Sequence, residues 1–352
     1  MRVDYPSYPT GPTCYPQVFA RRLFLKGKIL DIVINSRGNR VLRRMALIPT
    51  KFIWMDGKLV PWKKANVHVL THTLHYGMGV FEGIRCYKTA KGPAVFRLKD
   101  HIHRLENSAK LVGMKLPYSI KELVKGVKQT IKANKIEECY IRPIAFYGYG
   151  VMGLNPKGSK VNVAIAVWPW GTYLGDEGLE KGIRAKISPW RRIHPSILPP
   201  QAKVVANYAN SILAKVDALQ SGYNEAILLN IDGNVAEGPG ENVFIVKDGK
   251  LISPPASSGA LVGITQDSII KIAGDEGISF EEYDFKPNEL YSADEAFFTG
   301  TAAEVTPIRE VDGKPIGSGK RGPITKKLQR IFFNTVRGKE PKYEFWLDYV
   351  SK

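Results

Sequence analysis

Cysteine is nearly absent from the chain: Cys14, Cys86 and Cys139 are its three, far apart and in no Cys-x-x-Cys spacing. A disulfide framework or a zinc site is therefore not expected, and a reducing compartment, the cytoplasm, fits. Acids are scarce beside bases, 33 Asp and Glu against 51 Lys and Arg, for a net charge of +18. The excess is scattered, with no Lys/Arg run long enough to form a binding stripe. A basic nucleic-acid-binding protein is thus only a distant alternative. Nowhere does the sequence hold the roughly 18 uninterrupted apolar residues of a membrane span, so no membrane partner is expected. Histidine is also sparse, six in all, and offers no nucleophile–base triad. His68, His72 and His75 have helix-compatible spacing but no acid among them, and packing explains them better than a metal does.

The 352 residues, 44% of them hydrophobic, suffice for two domains with cores of their own. The first 44 residues differ from the rest, with nine Lys or Arg against two Asp and no Glu. Pro6, Pro9, Pro12 and Pro16 break any early helix. Residues 1–45 are therefore expected to be a basic, disordered extension or the product of a start codon placed too far upstream, in preference to a targeting peptide.

Four Asp-Gly pairs, at Asp56, Asp232, Asp248 and Asp312, sit between apolar runs, the strongest short hairpin signal a sequence carries. They pair Phe52–Met55 with Lys58–Val60, Glu225–Asn230 with Asn234–Ala236, and Val243–Lys247 with Lys250–Ile252. Helical periodicity falls at 100–112, 119–134, 207–221, 265–277 and 323–337. Hairpins mixed with helices predict an α+β fold. The glycine-rich stretch after the apolar strand Val161–Trp168 reads as a linker, 170–180. It separates a small α/β domain, 46–169, from a larger one, 181–352.

Chemistry concentrates in four segments. Ala236-Glu237-Gly238-Pro239-Gly240-Glu241-Asn242 places an acid between a strand and glycines that let backbone pass close to a flat ligand. Gln201-Ala202-Lys203-Val204-Val205 sets a lysine in an apolar, proline-stiffened context, where burial and nearby positive charge favour the unprotonated amine. Leu261-Val262-Gly263-Ile264-Thr265 combines a glycine turn, a hydroxyl and the start of a helix, as phosphate binding requires. Gly300-Thr301-Ala302-Ala303-Glu304 is a second tight turn. Gly148-Tyr149-Gly150-Val151-Met152-Gly153 is formally GxGxxG, but Asn155-Pro156 forbids the helix a dinucleotide site needs.

These segments, with Tyr76-Gly77 and Phe81-Glu82-Gly83-Ile84-Arg85, occur in an order that closely resembles the branched-chain amino acid aminotransferases. The resemblance runs from about Phe52 to Val350. It implies the two-domain type IV fold of pyridoxal-phosphate enzymes, the one adopted by D-amino acid aminotransferase. It also implies ping-pong transamination of L-leucine, L-isoleucine and L-valine with 2-oxoglutarate, giving branched 2-oxo acids and glutamate. Lys203 then corresponds to the catalytic lysine that bonds to pyridoxal 5′-phosphate. Glu237 faces the ring nitrogen, and Tyr208 the ring oxygen. Arg104, Leu261, Gly263, Ile264, Thr265 and Thr301 cup the phosphate. Tyr76, Phe81, Gly83, Tyr140 and Tyr173 match substrate-pocket positions. Arg142, on the same strand face as Tyr140, would bind the distal carboxylate of glutamate, and Thr301, Ala302 and Ala303 the α-carboxylate. The loop Gly148–Pro156 is expected to reach a neighbouring subunit's site, making the enzyme a homodimer at least. A D-amino acid aminotransferase or an aminodeoxychorismate lyase of the same fold is the nearer alternative. Tyr140-Ile141-Arg142-Pro143 and Gly171-Thr172-Tyr173-Leu174-Gly175 favour the branched-chain type.

Overall fold

The computed structural model describes residues 47–351 and three earlier strands, Ala20–Leu25, Lys28–Ile34 and Arg40–Leu42, which pair antiparallel in that order. These strands belong to a separate unit, residues 1–49. The remaining residues up to 46 lie outside the described ones, and with them the expectation of a disordered extension.

The unit from Thr50 onward carries two sheets. The first is wholly antiparallel, with eight strands: Phe52–Met55, Lys58–Pro61, Gly79–Phe81, Ile84–Thr89, Gly92–Phe96, Cys139–Tyr147, Val161–Trp168 and, from the far end of the chain, Leu347–Tyr349. The second has nine strands between Ile183 and Pro315 and is mixed, since Ile183–Arg191 runs parallel to both Glu225–Leu229 and Glu304–Val311. Hairpins, parallel pairs and helices together make this an α+β arrangement, as the sequence pattern predicts.

All four Asp-Gly pairs lie in turns between paired strands. At Asp56, Asp248 and Asp312 both the aspartate and its glycine have positive φ, the conformation a two-residue hairpin demands. At Asp232 only the glycine does. There the loop is longer and is closed by Asn230, whose amide nitrogen donates to Asn234 O and whose Oδ1 accepts from Asn234 N, at 2.8 and 2.9 Å.

The long helices, Leu98–Leu111, Ile120–Asn134, Asn207–Gln220, Ile264–Asp275 and Pro323–Val336, start and end within two residues of their sequence-based positions. Helix Ile120–Asn134 begins at a capping box in which the Ser119 and Glu122 side chains each accept from the other's backbone N–H. It buries Leu123, Val127 and Ile131, four residues apart, against the first sheet. On Val161–Trp168, alternation sends Val163, Ile165 and Val167 into the same core. Helix Pro323–Val336 has no cap of its own. Buried Glu295, from a strand of the second sheet, accepts from the N–H groups of Ile324 and Thr325 at 2.9 and 2.7 Å, satisfying two orphan donors and countering the helix dipole.

The two sheets meet where the site will form. The segment carrying Lys203 adds itself to the first sheet: Val204 bridges Val80, Phe81 N donates to Lys203 O at 3.1 Å, and Val205 N donates to Gly79 O at 2.8 Å. Ala202 and Val204 are buried in the first sheet's core, so the lysine between them is fixed at its Cα.

Candidate active site

A cavity of about 230 Å³ opens between the sheets, with Lys203 in its wall. The Lys203 amide donates to Ser108 Oγ at 3.0 Å, and its Nζ donates to Tyr208 Oη at 2.6 Å. The Phe81 and Tyr208 rings, 4.7 Å apart, both lie within 5.5 Å of that nitrogen. The amine thus sits among ring faces and one hydroxyl, with no carboxylate among its hydrogen-bond partners. It is positioned for chemistry rather than for a structural ion pair.

One end of the cavity is built for an anion. Arg104, on helix Leu98–Leu111, is clamped from behind by Glu82: Nε to Oε1 at 2.6 Å and Nη2 to Oε2 at 2.9 Å, while Nη1 donates to Val262 O at 2.8 Å. Glu82 is completely buried and takes a third bond from His101 Nδ1 at 2.8 Å. Burial opposes its charge, but Arg104 and His101 outweigh burial and hold the carboxyl far below its ordinary range. For His101 the balance reverses: burial outweighs Glu82 and pushes the imidazole down, toward neutrality. Beside Arg104, helix Ile264–Asp275 starts with Gly263, Ile264 and Thr265 in the cavity wall. Its free N–H groups and dipole make this an anion site.

Glu237 occupies the adjoining wall on strand Val235–Glu237. Its Oε1 pairs with Arg192 Nη2 at 2.7 Å, and Oε2 accepts from Leu261 N at 3.1 Å and Asn242 Nδ2 at 3.2 Å. Burial pushes this carboxyl up, while Arg192 and the Leu261 N–H pull it back. Four lone-pair sites and three donors leave one acceptor position for a ligand.

Another part of the wall is aromatic and cationic. The Arg142 guanidinium lies 4.6 Å from the Phe81 ring centre and 5.4 Å from that of Tyr140. Its Nη2 donates to Tyr140 Oη at 3.5 Å, and its buried Nε has no partner among the described residues. Trp170, inside the expected linker, packs on Tyr140 with centroids 4.4 Å apart. Gly83 is required here, because a Cβ would strike the Tyr140 hydroxyl. Tyr173, Thr301 and Ala302 complete this wall.

The structure thus brings Arg104, Lys203, Tyr208, Glu237, Leu261, Gly263, Ile264, Thr265, Phe81, Gly83, Tyr140, Arg142, Tyr173, Thr301 and Ala302 to one cavity. Ala303 is buried beside it, with its carbonyl accepting from Thr306 Oγ1 at 2.6 Å. Tyr76 lies elsewhere, where its hydroxyl accepts from Gly153 N at 3.2 Å. His72 holds the same loop, donating from Nε2 to Gly153 O at 2.8 Å.

Residues 79–311 match the family model for class IV amino-transferases. The chain belongs to the class IV aminotransferases. Its similarity extends beyond that span. It is 49% identical to the branched-chain-amino-acid aminotransferase of Pseudomonas aeruginosa over 299 residues, covering 85% of this chain and 97% of that one. To the Escherichia coli enzyme of the same name it is 47% identical, covering 86% and 98%. The crystal structure of that E. coli enzyme superposes with a TM-score of 0.84, covering 86% of this chain and all of the other. A branched-chain aminotransferase from the archaeon Thermoproteus uzoniensis, solved with norvaline, gives 0.82 at 48% identity, again covering 86% of this chain and all of the other. The α+β architecture is therefore the type IV fold, and the cofactor is pyridoxal 5′-phosphate. The cavity fits it: an amine, a carboxylate with an open acceptor position, and a helix N-terminus flanked by a braced arginine line one concave surface.

Several working parts of this aminotransferase escape a reading of the sequence alone. Arg192 neutralises Glu237, and Glu82 and His101 brace Arg104. Glu82 stands inside a recognisable motif, so an acid between aromatic Phe81 and Gly83 is a usable signal. Arg192 has none, being one basic residue among many and joined to Glu237 only by folding.

Proposed function

We propose that the cavity around Lys203 is where this branched-chain amino acid aminotransferase exchanges an amino group between L-leucine, L-isoleucine or L-valine and 2-oxoglutarate. The observation that carries the assignment is the Lys203 Nζ–Tyr208 Oη contact of 2.6 Å in a wall between a cationic anion cup and an aromatic pocket. Bound there, pyridoxal phosphate supplies the electron sink that makes the substrate Cα–H acidic. Arg104 and the N–H groups at Ile264 and Thr265 hold the phosphate. Glu237 would offer its remaining acceptor position to the ring nitrogen and hold a proton there, with Arg192 pulling Glu237 toward its anionic form against burial. Lys203 Nζ would take the proton from the substrate Cα and deliver it to the C4′ carbon of the cofactor, acting as base and then acid.

One pocket must hold either an aliphatic side chain or a second carboxylate. Phe81, Tyr140 and Tyr173 present ring faces to the aliphatic group. Arg142, flat against Phe81, keeps its buried Nε–H for the distal carboxylate of glutamate. The backbone at Thr301 and Ala302 receives the α-carboxylate.

The enzyme acts as at least a homodimer. Loop residues Tyr149, Met152 and Leu154 are exposed, Leu154 by 87%, and the loop is anchored through His72 and Tyr76. Apolar side chains on an anchored loop suit insertion into a second copy. Light scattering after gel filtration checks this, and a monomer would remove it. Among the described residues no helix is long and apolar enough to cross a membrane, and Cys86 and Cys139 are free thiols. Both support a cytoplasmic enzyme.

Absorbance of the purified holoenzyme before and after L-leucine, beside a Lys203→Ala variant, tests the site. A visible band that shifts with L-leucine in the wild type and stays fixed in the variant is expected. A band that answers only D-alanine would mean the D-amino acid enzyme, and a full shift in the variant would remove Lys203 from its role.

A further inference from the structure

In the cavity wall at Glu241 and behind it lies a buried group of charges that the transamination chemistry does not use. Glu241 and Glu225 are both buried, Glu225 completely. Glu225 Oε2 takes Lys215 Nζ at 2.5 Å and its Oε1 accepts from Ala226 N at 3.1 Å. Glu241 Oε2 accepts only from Gly240 N, at 3.1 Å, and its buried Oε1 has no partner among the described residues. The Lys215 ammonium thus pairs with Glu225, and Glu241 has no cation within salt-bridge distance among the described residues.

A second carboxylate with an empty oxygen would carry an uncompensated charge into the interior, which costs far more than holding a proton. Burial, and then the neighbouring Glu225 carboxylate, push Glu241 well above the ordinary carboxyl range, against the pull of Lys215. The charged groups that act on Glu241 are Glu225 and Lys215, while Gly300, from strand Glu295–Gly300, and Gly238, from its own loop, lie against its side chain. Lys215 lies 5.2 Å from the centre of the Tyr173 ring, in the pocket wall.

Glu241 is also a neighbour of the substrate turn. Its Cα and Cβ underlie Gly300 so closely that a Cβ added there would stand 3.2 Å from Glu241 Cβ. Gly300 leads into Thr301 and Ala302, and all of these residues line the cavity.

We propose that Glu241 keeps a proton, and that the neutral Glu241 is a positioning residue for the substrate. It supports the Gly300–Ala302 turn while keeping negative charge away from the place that receives the α-carboxylate. The proposal rests on the α-carboxylate placement described above. When the proton leaves at alkaline pH, a second anion appears beneath the turn and repels any substrate carboxylate lying on it.

The test uses the holoenzyme with 4-methyl-2-oxopentanoate, given L-glutamate as amino donor, and 2-oxoglutarate, given L-leucine, and follows KM for the two 2-oxo acids, which do not titrate in the alkaline range. In the wild type, KM for both rises about tenfold between neutral and alkaline pH, with kcat little changed. In Glu241→Gln, which mimics the protonated form, KM stays flat. The infrared difference spectrum between the two pH values contains the carbonyl band of a protonated carboxyl in the wild type and lacks it in Glu241→Gln. Glu225→Gln, a second variant, removes the like charge, so Glu241 loses its proton sooner and the rise in KM moves to lower pH. The same alkaline rise in Glu241→Gln as in the wild type, or no carboxyl band in the wild type, overturns the proposal. A rise for 2-oxoglutarate alone overturns it differently, through the α-carboxylate placement, because only the distal carboxylate would then sense the charge.

Discussion

Glu82 grips Arg104 from behind with two parallel hydrogen bonds, 2.6 and 2.9 Å long, and both oxygens of its carboxylate are enclosed by protein. The arrangement fixes the plane of the guanidinium before any ligand arrives. A fork held in this way meets a phosphate without first losing rotamer freedom. Removing Glu82 leaves a buried cation without its partner, which costs about 3–5 kcal/mol. Glu82→Ala is therefore expected to lower the unfolding free energy by that amount and to weaken cofactor binding. Denaturant titration and the dissociation constant for pyridoxal phosphate measure the two effects. A variant of unchanged stability would show that Arg104 finds another anchor.

The same pair sets an acid limit on stability. Glu82 ionises more readily in the folded protein than in the unfolded chain. Below the unfolded value, about 4.3 for a glutamate, the unfolded state binds more protons than the folded state. Stability then falls as pH falls. The contribution is fully present above that value and is lost progressively below it. Glu82→Gln should flatten the acid side of the stability curve. Thermal melts across the acid range, wild type beside variant, decide the matter, and parallel curves would count against it.

The proposed role of Arg142 favours one substrate class over the other. Its Nε–H is buried and unpaired among the described residues, and its guanidinium carbon lies 4.6 Å from the Phe81 ring centre. A hydrogen bond from a charged donor is worth about 1.5–3 kcal/mol, or about tenfold to a hundredfold in affinity. Arg142→Gln should raise KM for glutamate and 2-oxoglutarate by that factor and leave the leucine KM within a few-fold. Steady-state kinetics on both half-reactions reads this out. Equal losses for leucine and glutamate would mean that Arg142 shapes the pocket as a whole.

Much of this arrangement is legible in the sequence because its causes are local. The Asp-Gly turns, the capping box at Ser119 and the apolar spacing of Leu123, Val127 and Ile131 act over a few residues. Lys203, Glu237 and Arg104 stand in motifs whose order along the chain carries their meaning. What escapes the sequence is made by distance. Leu347–Tyr349 pairs with Gly92–Phe96 across most of the chain. Arg192, just past the end of strand Ile183–Arg191, reaches Glu237. Trp170, in a stretch that reads as a glycine-rich linker, turns into the cavity because Tyr140 offers it a ring. The short helices His72–Tyr76, Asp176–Lys181 and Pro287–Tyr291 span too few residues for a period to show.

The turn that ends in Glu304 depends on a second long-range brace. Glu304 has a positive φ of 55°, unusual for a residue with a side chain. Its buried carboxylate pairs with Arg85 Nη1 at 3.0 Å and accepts from Tyr87 Oη at 2.9 Å. Arg85 also donates from Nη2 to Gly171 O at 2.7 Å. One carboxylate thus ties the Thr301–Ala303 turn to the first sheet and to the segment that carries Trp170 and Tyr173. Tyr87→Phe removes one bond to a charged acceptor and should cost about 1.5–3 kcal/mol of stability. Because the turn is the proposed seat of the α-carboxylate, KM should rise for leucine and for glutamate alike, unlike the selective loss expected at Arg142. A stability loss with both KM values unchanged would show that Thr301 and Ala302 keep their place without the brace.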